Sequence, residues 1–81
     1  MHIHLLRYRE NGDLINAYAE AKSAIDEAER RFDAVGWSAS VQEDLRVARL
    51  MFDCPTVTNG LTASIGAPFF GALEIVRLIV R

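Results

Sequence analysis

The chain has 81 residues, of which 51% are apolar and 25% are charged, and its formal net charge at pH 7 is −2. This length predicts a single domain over residues 1–81, and the apolar content argues against disorder. Residues 10–33 hold seven acidic and three basic side chains, and no segment forms a basic stripe. Nucleic acid is therefore not an expected partner, because a phosphate backbone requires clustered positive charge.

The cysteine content and the apolar segments predict a cytoplasmic protein. Cys54 is the single cysteine, which excludes an internal disulfide and fits a reducing compartment. Charged residues interrupt the N-terminal apolar stretch before it reaches the length of a signal-peptide core. Glu74 and Arg77 interrupt the apolar stretch 61–80, so we expect it to be buried in protein and not in a membrane.

The first predicted element is a strand over residues 1–9. Side chains along a strand alternate between its two faces. One face carries His2, His4, Leu6 and Tyr8, and the other carries Ile3, Leu5 and Arg7. A turn over residues 10–13 follows.

A long amphipathic helix is predicted from Leu14 to Val35. Its apolar stripe steps by three or four residues and consists of Leu14, Tyr18, Ala21, Ile25, Ala28, Phe32 and Val35. Asp13 can cap its start. The alternative is a hairpin closed by Asn11 and Gly12, with 14–19 as its second strand. The unbroken stripe favours the helix.

A second helix is predicted to start at a capping box formed by Ser40 and Glu43. Its main stripe consists of Val41, Leu45, Ala48 and Phe52, broadened by Val47 and Met51. Pro55 ends it, because the residue before a proline avoids helical geometry.

The C-terminal third predicts a hairpin and a final strand. Asn59 and Gly60 lie between short stretches with β-branched residues, which is typical of a tight hairpin over residues 56–63. Residues 66–71 read as a loop. Residues 73–81 favour a buried strand, and a helix that starts after Pro68 is the alternative.

Together these elements predict an α+β fold in the order β-α-α-β-β-β. A small, mainly antiparallel sheet would be built from residues 2–9, 55–65 and 73–81, with two helices on one face. Such an arrangement leaves apolar surface without cover, which a second copy of the chain would bury best, so we expect a homodimer.

No residue set in the sequence predicts catalysis, a metal site or a cofactor. His2 and His4 point the same way on a strand, but a metal needs at least a third ligand. Cys54 has no histidine near it in the sequence to act as its base. An enzyme is therefore the least favoured class.

The function predicted best is a non-enzymatic protein–protein interaction module, a small adaptor or inhibitor with an apolar and aromatic patch. The adjacent Phe69 and Phe70 cannot easily both face one core, so one can anchor a partner. The other candidate interface residues are Trp37 and a Glu74–Arg77 pair. The alternative is a small-molecule site in an apolar cavity at a dimer interface, lined by Tyr8, Tyr18, Trp37 and Phe69, with Arg7 or Arg77 selecting an anion.

Overall fold

The computed structural model describes residues 2–35, 39–53, 60–66 and 72–79. In chain order, its elements are β1 (His2–Tyr8), β2 (Leu14–Tyr18), α1 (Ala21–Val35), α2 (Ala39–Asp53), β3 (Leu61–Ile65) and β4 (Leu73–Ile79). The four strands form one sheet in the order β2-β1-β4-β3, and each neighbouring pair is antiparallel. The predicted α+β class is therefore confirmed, with an additional strand before the first helix.

Both helices pack on the same face of the sheet. Leu6, Ala63 and Ile75 lie opposite one another in the ladders and belong to one buried cluster. The helices contribute the side chains that repeat every three or four residues, namely Ala24, Ile25, Ala28 and Phe32 from α1 and Val41, Leu45, Ala48 and Phe52 from α2. Each large apolar side chain buried there stabilises the fold by about 1.5–3 kcal/mol. The predicted helix-covered face is thus present.

The predicted helix start at Leu14 is wrong, because residues 14–18 form β2 and α1 begins only at Ala21. Leu14 and Tyr18 are four apart, a spacing that fits a helical stripe. Pairing of β2 with β1 instead satisfies the backbone groups of both strands. The hairpin reading of this segment was therefore the correct alternative.

The turn between β1 and β2 explains why the hairpin forms. Gly12 has a φ of 74°, a left-handed conformation that suits glycine. Its N–H donates to the carbonyl of Tyr8 at 2.8 Å, and the Tyr8 N–H donates to the carbonyl of Asp13 at 2.9 Å. The side-chain oxygen of Asn11 accepts from the N–H of Asp13 at 3.0 Å, as in an Asx turn.

Ion pairs form within α1 and between α1 and α2. Glu27 accepts from Arg31 at 3.2 Å, as acid-before-base spacing indicates. Asp26 accepts from Arg49 of α2 at 2.9 Å, and Arg30 pairs with Glu27 at 2.6 Å. The Arg49 contact joins the two helices along their outer edge.

The predicted stripe of α2 is confirmed, but its start and its breadth differ. α2 begins at Ala39, so Ser40 lies inside the helix, and Glu43 pairs with Arg46 one turn later. Val47 is exposed and does not broaden the stripe, whereas Met51 packs against the core.

The last predicted strand is confirmed as β4, which pairs with β1 on one side and β3 on the other. The first strand of the predicted hairpin, residues 56–58, lies outside the described residues. Each described helix has 15 residues, and neither is long and apolar enough to cross a membrane.

Candidate interaction surface

The face of the sheet opposite the helices carries a ladder of aliphatic side chains on its two central strands. Ile3 lies opposite Leu78, and Leu5 lies opposite Val76. Directly opposite residues project from the same face. We call this surface, made of Ile3, Leu5, Arg7, Glu74, Val76 and Leu78, the open face. Both helices pack on the other side, so no described helix covers it.

The aliphatic side chains of the open face are only partly shielded from solvent. Val76, at its centre, is 6% exposed, whereas Ile3, Leu5 and Leu78 are half-buried. Leu14, opposite Arg7 in the neighbouring strand, is 59% exposed and extends the apolar surface. Adjacent aliphatic groups that keep contact with water gain most from a partner, since burial of apolar area is favourable.

An ion pair ends the aliphatic ladder on the open face. Arg7 lies opposite Glu74, and its Nε donates to Glu74 Oε1 at 2.5 Å. The two side chains are 37% and 14% exposed. The pair therefore stays within reach of solvent and of any protein that covers the face.

The outer strands carry small side chains on the open face, and the edge of β2 has one amide that is already occupied. Thr62 and Ser64 of β3 and Ala17 of β2 flank the ladder with small side chains. On β2, the N–H of Ala17 donates to the side-chain oxygen of Asn16 at 2.8 Å. Since this amide is occupied, β2 is a weakened template for pairing with another chain.

The helix-covered face holds a different arginine, enclosed between the sheet and the end of α2. Arg77 lies opposite His4, and its Nε donates to His4 Nε2 at 3.0 Å. Its Nη2 donates to the backbone carbonyl of Phe52 at 2.8 Å. That carbonyl belongs to the last turn of α2, where carbonyls lack helical partners and the helix dipole favours a cation.

Phe52 also contacts both members of this pair through its ring. The guanidinium carbon of Arg77 lies 5.1 Å from the ring centroid, a cation–π distance. The His4 ring meets the Phe52 ring edge-on, with centroids 5.6 Å apart. These three side chains tie β1, β4 and α2 together, and we call them the His4–Arg77–Phe52 cluster.

His4 must be neutral in this cluster, because its Nε2 accepts the hydrogen bond and its proton is therefore on Nδ1. Burial lowers the pKa of His4 from the ordinary 6.5, and the charge of Arg77 lowers it further. The backbone of Tyr18 and Ala19 opposes these two effects and acts to raise the pKa of His4. Nδ1 is buried and has no hydrogen-bond partner within the described part of the chain.

A shallow groove of about 220 Å³ lies between the start of α1 and the end of α2. It is lined by Ala21, Lys22, Ile25, Arg49, Phe52 and Asp53. Most ligand pockets hold about 300–1,000 Å³, so this groove fits only a small molecule.

The structure describes only some of the predicted site residues. Trp37, Phe69 and Phe70 lie outside the described residues, as does Cys54. Tyr8 and Tyr18 belong to opposite ends of the β1–β2 pair, since Tyr18 lies opposite His4. Four strand residues separate these positions by about 13 Å, and the predicted cavity at a dimer interface stays a prediction.

The predicted Glu74–Arg77 pair does not form. Glu74 pairs with Arg7 on the open face, whereas Arg77 is buried on the helix-covered face. Residues three apart in a strand project from opposite faces, which explains the difference. Both residues are on β4 as the sequence indicates, but only Glu74 belongs to the open face.

Sequence reasoning missed the aliphatic part of the surface although its signal was present. The alternation that assigns Ile3, Leu5 and Arg7 to one face of β1 is correct. The residues opposite them on β4 follow only from the register, which the sequence did not provide. The same missing register hid the contact between His4 and Arg77.

The described residues include no cluster of three side chains that could hold a metal ion. His4 is 3% exposed, so the imidazole cannot reach a dissolved substrate. No protein-family model, curated protein or solved structure matches the chain.

Proposed function

We propose that this chain is a non-enzymatic protein–protein interaction module that acts as a homodimer through the open face. The observation that carries the proposal is the paired aliphatic ladder Ile3–Leu78 and Leu5–Val76 on the side of the sheet that the described helices leave uncovered. Contiguous apolar surface bordered by polar groups is typical of protein interaction sites.

The distribution of charge supports the same surface. Several charged side chains on the outer sides of the helices form ion pairs within the chain, for example Glu27 with Arg30 and Glu43 with Arg46. On the open face, the charges of Arg7 and Glu74 stand at one end of an otherwise apolar ladder. Charge depletion at the centre and polar groups at the rim are features of protein interfaces.

The predicted aromatic anchors remain part of this proposal. Trp37, Phe69 and Phe70 precede or follow described elements in the sequence, and aromatic residues are enriched at the energetic centres of interfaces. We also retain the cytoplasm as the proposed compartment, which the single Cys54 supports.

Light scattering over a roughly hundredfold range of protein concentration tests the proposal, because self-association depends on concentration. The wild-type chain should approach twice its mass of 9.0 kDa. Leu5→Lys should remain at the monomer mass and keep the far-ultraviolet circular dichroism of the wild type. A wild-type mass near 9.0 kDa at every concentration contradicts the homodimer.

Leu50→Lys is the matched control for Leu5→Lys. Leu50 is 62% exposed on α2, away from the open face, so the same substitution there should leave the dimer intact. Loss of the dimer in both variants would show that general surface hydrophobicity, and not the open face, drives association.

Small-molecule binding is the second candidate function, and the groove between α1 and α2 favours it. Lys22 and Arg49 would supply positive charge at the groove and Asp53 negative charge, so a small polar ligand fits better than an apolar one. A thermal-shift screen separates the two functions, since only a ligand site predicts a stabilisation that grows with ligand concentration. Arg49→Ala should abolish such a shift and leave the dimer unchanged.

A further inference from the structure

We infer that the open face recognises a second copy of this chain about a two-fold axis parallel to β1 and β4, with Arg7 of each protomer opposite Glu74 of the other. The inference rests on the proposed function and specifies its partner and geometry. It is carried by the register of the two central strands, in which Ile3–Leu78, Leu5–Val76 and Arg7–Glu74 are consecutive pairs on the open face.

The geometry follows from the pairing of β1 with β4. The two strands are adjacent and antiparallel. When two copies meet through the open face, a two-fold axis that runs between these strands places β1 of one copy over β4 of the other. The rotation does not change a residue's position along the axis. Each residue of β1 therefore faces the partner's copy of its own cross-strand neighbour.

The side chains brought together by this axis are complementary. Ile3 meets Leu78 and Leu5 meets Val76, so aliphatic groups cover aliphatic groups. Arg7 meets Glu74 twice, once on each side of the axis, and the two intrachain pairs become a network of four charges. Closed two-fold interfaces require this kind of self-complementary surface.

A two-fold axis perpendicular to the strands gives a poorer match. It reverses the strand direction, so the Arg7–Glu74 end of one copy covers the Ile3–Leu78 end of the other. Both charges would then lose water and gain aliphatic neighbours, which is unfavourable. Charge complementarity therefore selects the axis parallel to the strands.

The rest of the sheet accommodates this packing. Under the parallel axis, β2 of one copy covers β3 of the other, which brings Ala17 and Leu14 over Thr62 and Ser64. Thr62 and Ser64 are small, so they permit the spacing of about 10 Å at which sheets pack. Four strands of up to seven residues offer a face of roughly 400 Å² in projection. Two such faces together bury about 800 Å², which is below the range of stable interfaces and typical of weak ones, so we expect a weak, reversible dimer.

Opposite charge reversals test the axis. Arg7→Glu gives a chain with two acidic residues at the end of the ladder, and Glu74→Arg gives a chain with two basic residues there. Alone, each variant should lose the dimer, because like charges face each other across the parallel axis. Mixed in equal amounts, they should form a heterodimer at a concentration about tenfold or more below that at which either associates alone. Native mass spectrometry distinguishes the three possible dimers.

The charge-swapped double variant, Arg7→Glu with Glu74→Arg, is the matched control. It retains the intrachain pair and, across the parallel axis, the interchain pairs, so its homodimer should match that of the wild type. Circular dichroism of all three variants shows whether each is folded. A wild-type dimer whose single reversals still dimerise as well as the wild type, with no preference in the mixture, overturns the axis and leaves the interaction module standing.

A measurement on the wild-type chain does not depend on the folding of any variant. The dimer dissociation constant should rise between about 0.05 M and about 0.5 M salt, because salt screens the two interchain Arg7–Glu74 contacts. An unchanged or tighter dimer at high salt contradicts these contacts. A wild-type monomer under all conditions instead refutes the proposed homodimer, so the two failures are distinguishable.

Discussion

The two central strands carry one arginine on each face, and the two arginines have different environments. Arg77 is buried under α2, and two of its acceptors are the neutral His4 Nε2 and the carbonyl of Phe52. Arg7, on the open face, pairs with the carboxylate of Glu74 and remains 37% exposed. The covered face uses its arginine to join elements of one chain, whereas the open face keeps its charged pair available to another protein.

The comparison shows that the same residue type contributes differently on the two faces of one ladder. A buried cation constrains its acceptors, and removal of one partner leaves the others without hydrogen bonds. An ion pair that solvent still reaches, such as Arg7–Glu74, contributes less to stability than a buried contact, since water replaces either partner. We therefore expect variants on the covered face to change folding and variants on the open face to change association.

Arg77→Met should have the largest effect on stability. Methionine keeps an unbranched, flexible side chain but leaves His4 Nε2 and the Phe52 carbonyl without the Arg77 donor in a buried site. We expect the free energy of unfolding to fall by about 3 kcal/mol. Urea unfolding followed by circular dichroism measures it. A loss below about 1 kcal/mol would contradict the role assigned to the His4–Arg77–Phe52 cluster.

Gly66→Ala should have the next largest effect, because the covered face is closely packed at the end of β3. Gly66 has a φ of 93°, and an added Cβ would lie 2.7 Å from the ring of Phe32. Its N–H also donates to Asp44 of α2 at 3.0 Å. We expect backbone strain and overpacking together to lower the free energy of unfolding by about 2 kcal/mol.

Gly60→Ala is the matched control for Gly66→Ala. Gly60 also has a positive φ, of 87°, but a Cβ there meets nothing within 4 Å. Gly60→Ala should therefore lower the free energy of unfolding by only about 1 kcal/mol, which is the cost of the backbone conformation alone. Equal losses of unfolding free energy in the two variants would show that contact with Phe32 contributes nothing.

Stability should depend on pH through His4. Burial and the charge of Arg77 hold the pKa of folded His4 below the ordinary 6.5 that applies to the unfolded chain. As the pH falls through 6.5, the unfolded state binds the proton first, so the free energy of unfolding decreases. The decrease ends below the lowered pKa of folded His4. Urea midpoints between about pH 8 and about pH 5 measure it.

His4→Gln and His2→Gln together identify the histidine responsible. Glutamine at position 4 offers an oxygen acceptor that does not titrate, so its variant should lose the pH dependence in this window. His2→Gln leaves His4 and Arg77 in place and should retain it. Retention of the full pH dependence in His4→Gln would assign it to another group.

Local patterns predicted most of the elements. Alternation identified β1 and both of its faces, the stripe of α2 identified four core residues, and β-branched residues favoured a strand at residues 73–81. These signals depend on side-chain periodicity alone. The class of the fold follows from them.

The start of α1 could not be predicted, because one spacing served two structures. Leu14 and Tyr18 fit a helical stripe, and they also fit a strand beside β1. Backbone pairing and the left-handed Gly12 decide in favour of the strand. A stripe of apolar residues reports neither, although Asn11 and Gly12 indicated the hairpin as the alternative.

Prediction of the candidate site from sequence would have required the register between strands that are distant in the chain. Arg7 and Glu74 are separated by 67 residues, and His4 and Arg77 by 73. Without that register, Glu74 and Arg77 looked like a local pair. Local chemistry indicated which residues carry charge, but only the ladder assigns each arginine to a face and to a partner.

The smallest expected effect on stability concerns the Arg7–Glu74 pair itself. In a double-mutant cycle with Arg7→Gln and Glu74→Gln, the coupling within a monomer should be below about 1 kcal/mol, because water reaches both partners. Urea unfolding at protein concentrations below the dimer dissociation constant measures this value. Above that constant, the coupling should increase, because each arginine then also faces the glutamate of a second copy. A large coupling in the monomer would place the pair among the contacts that hold the fold together, and the contrast between the two faces would be lost.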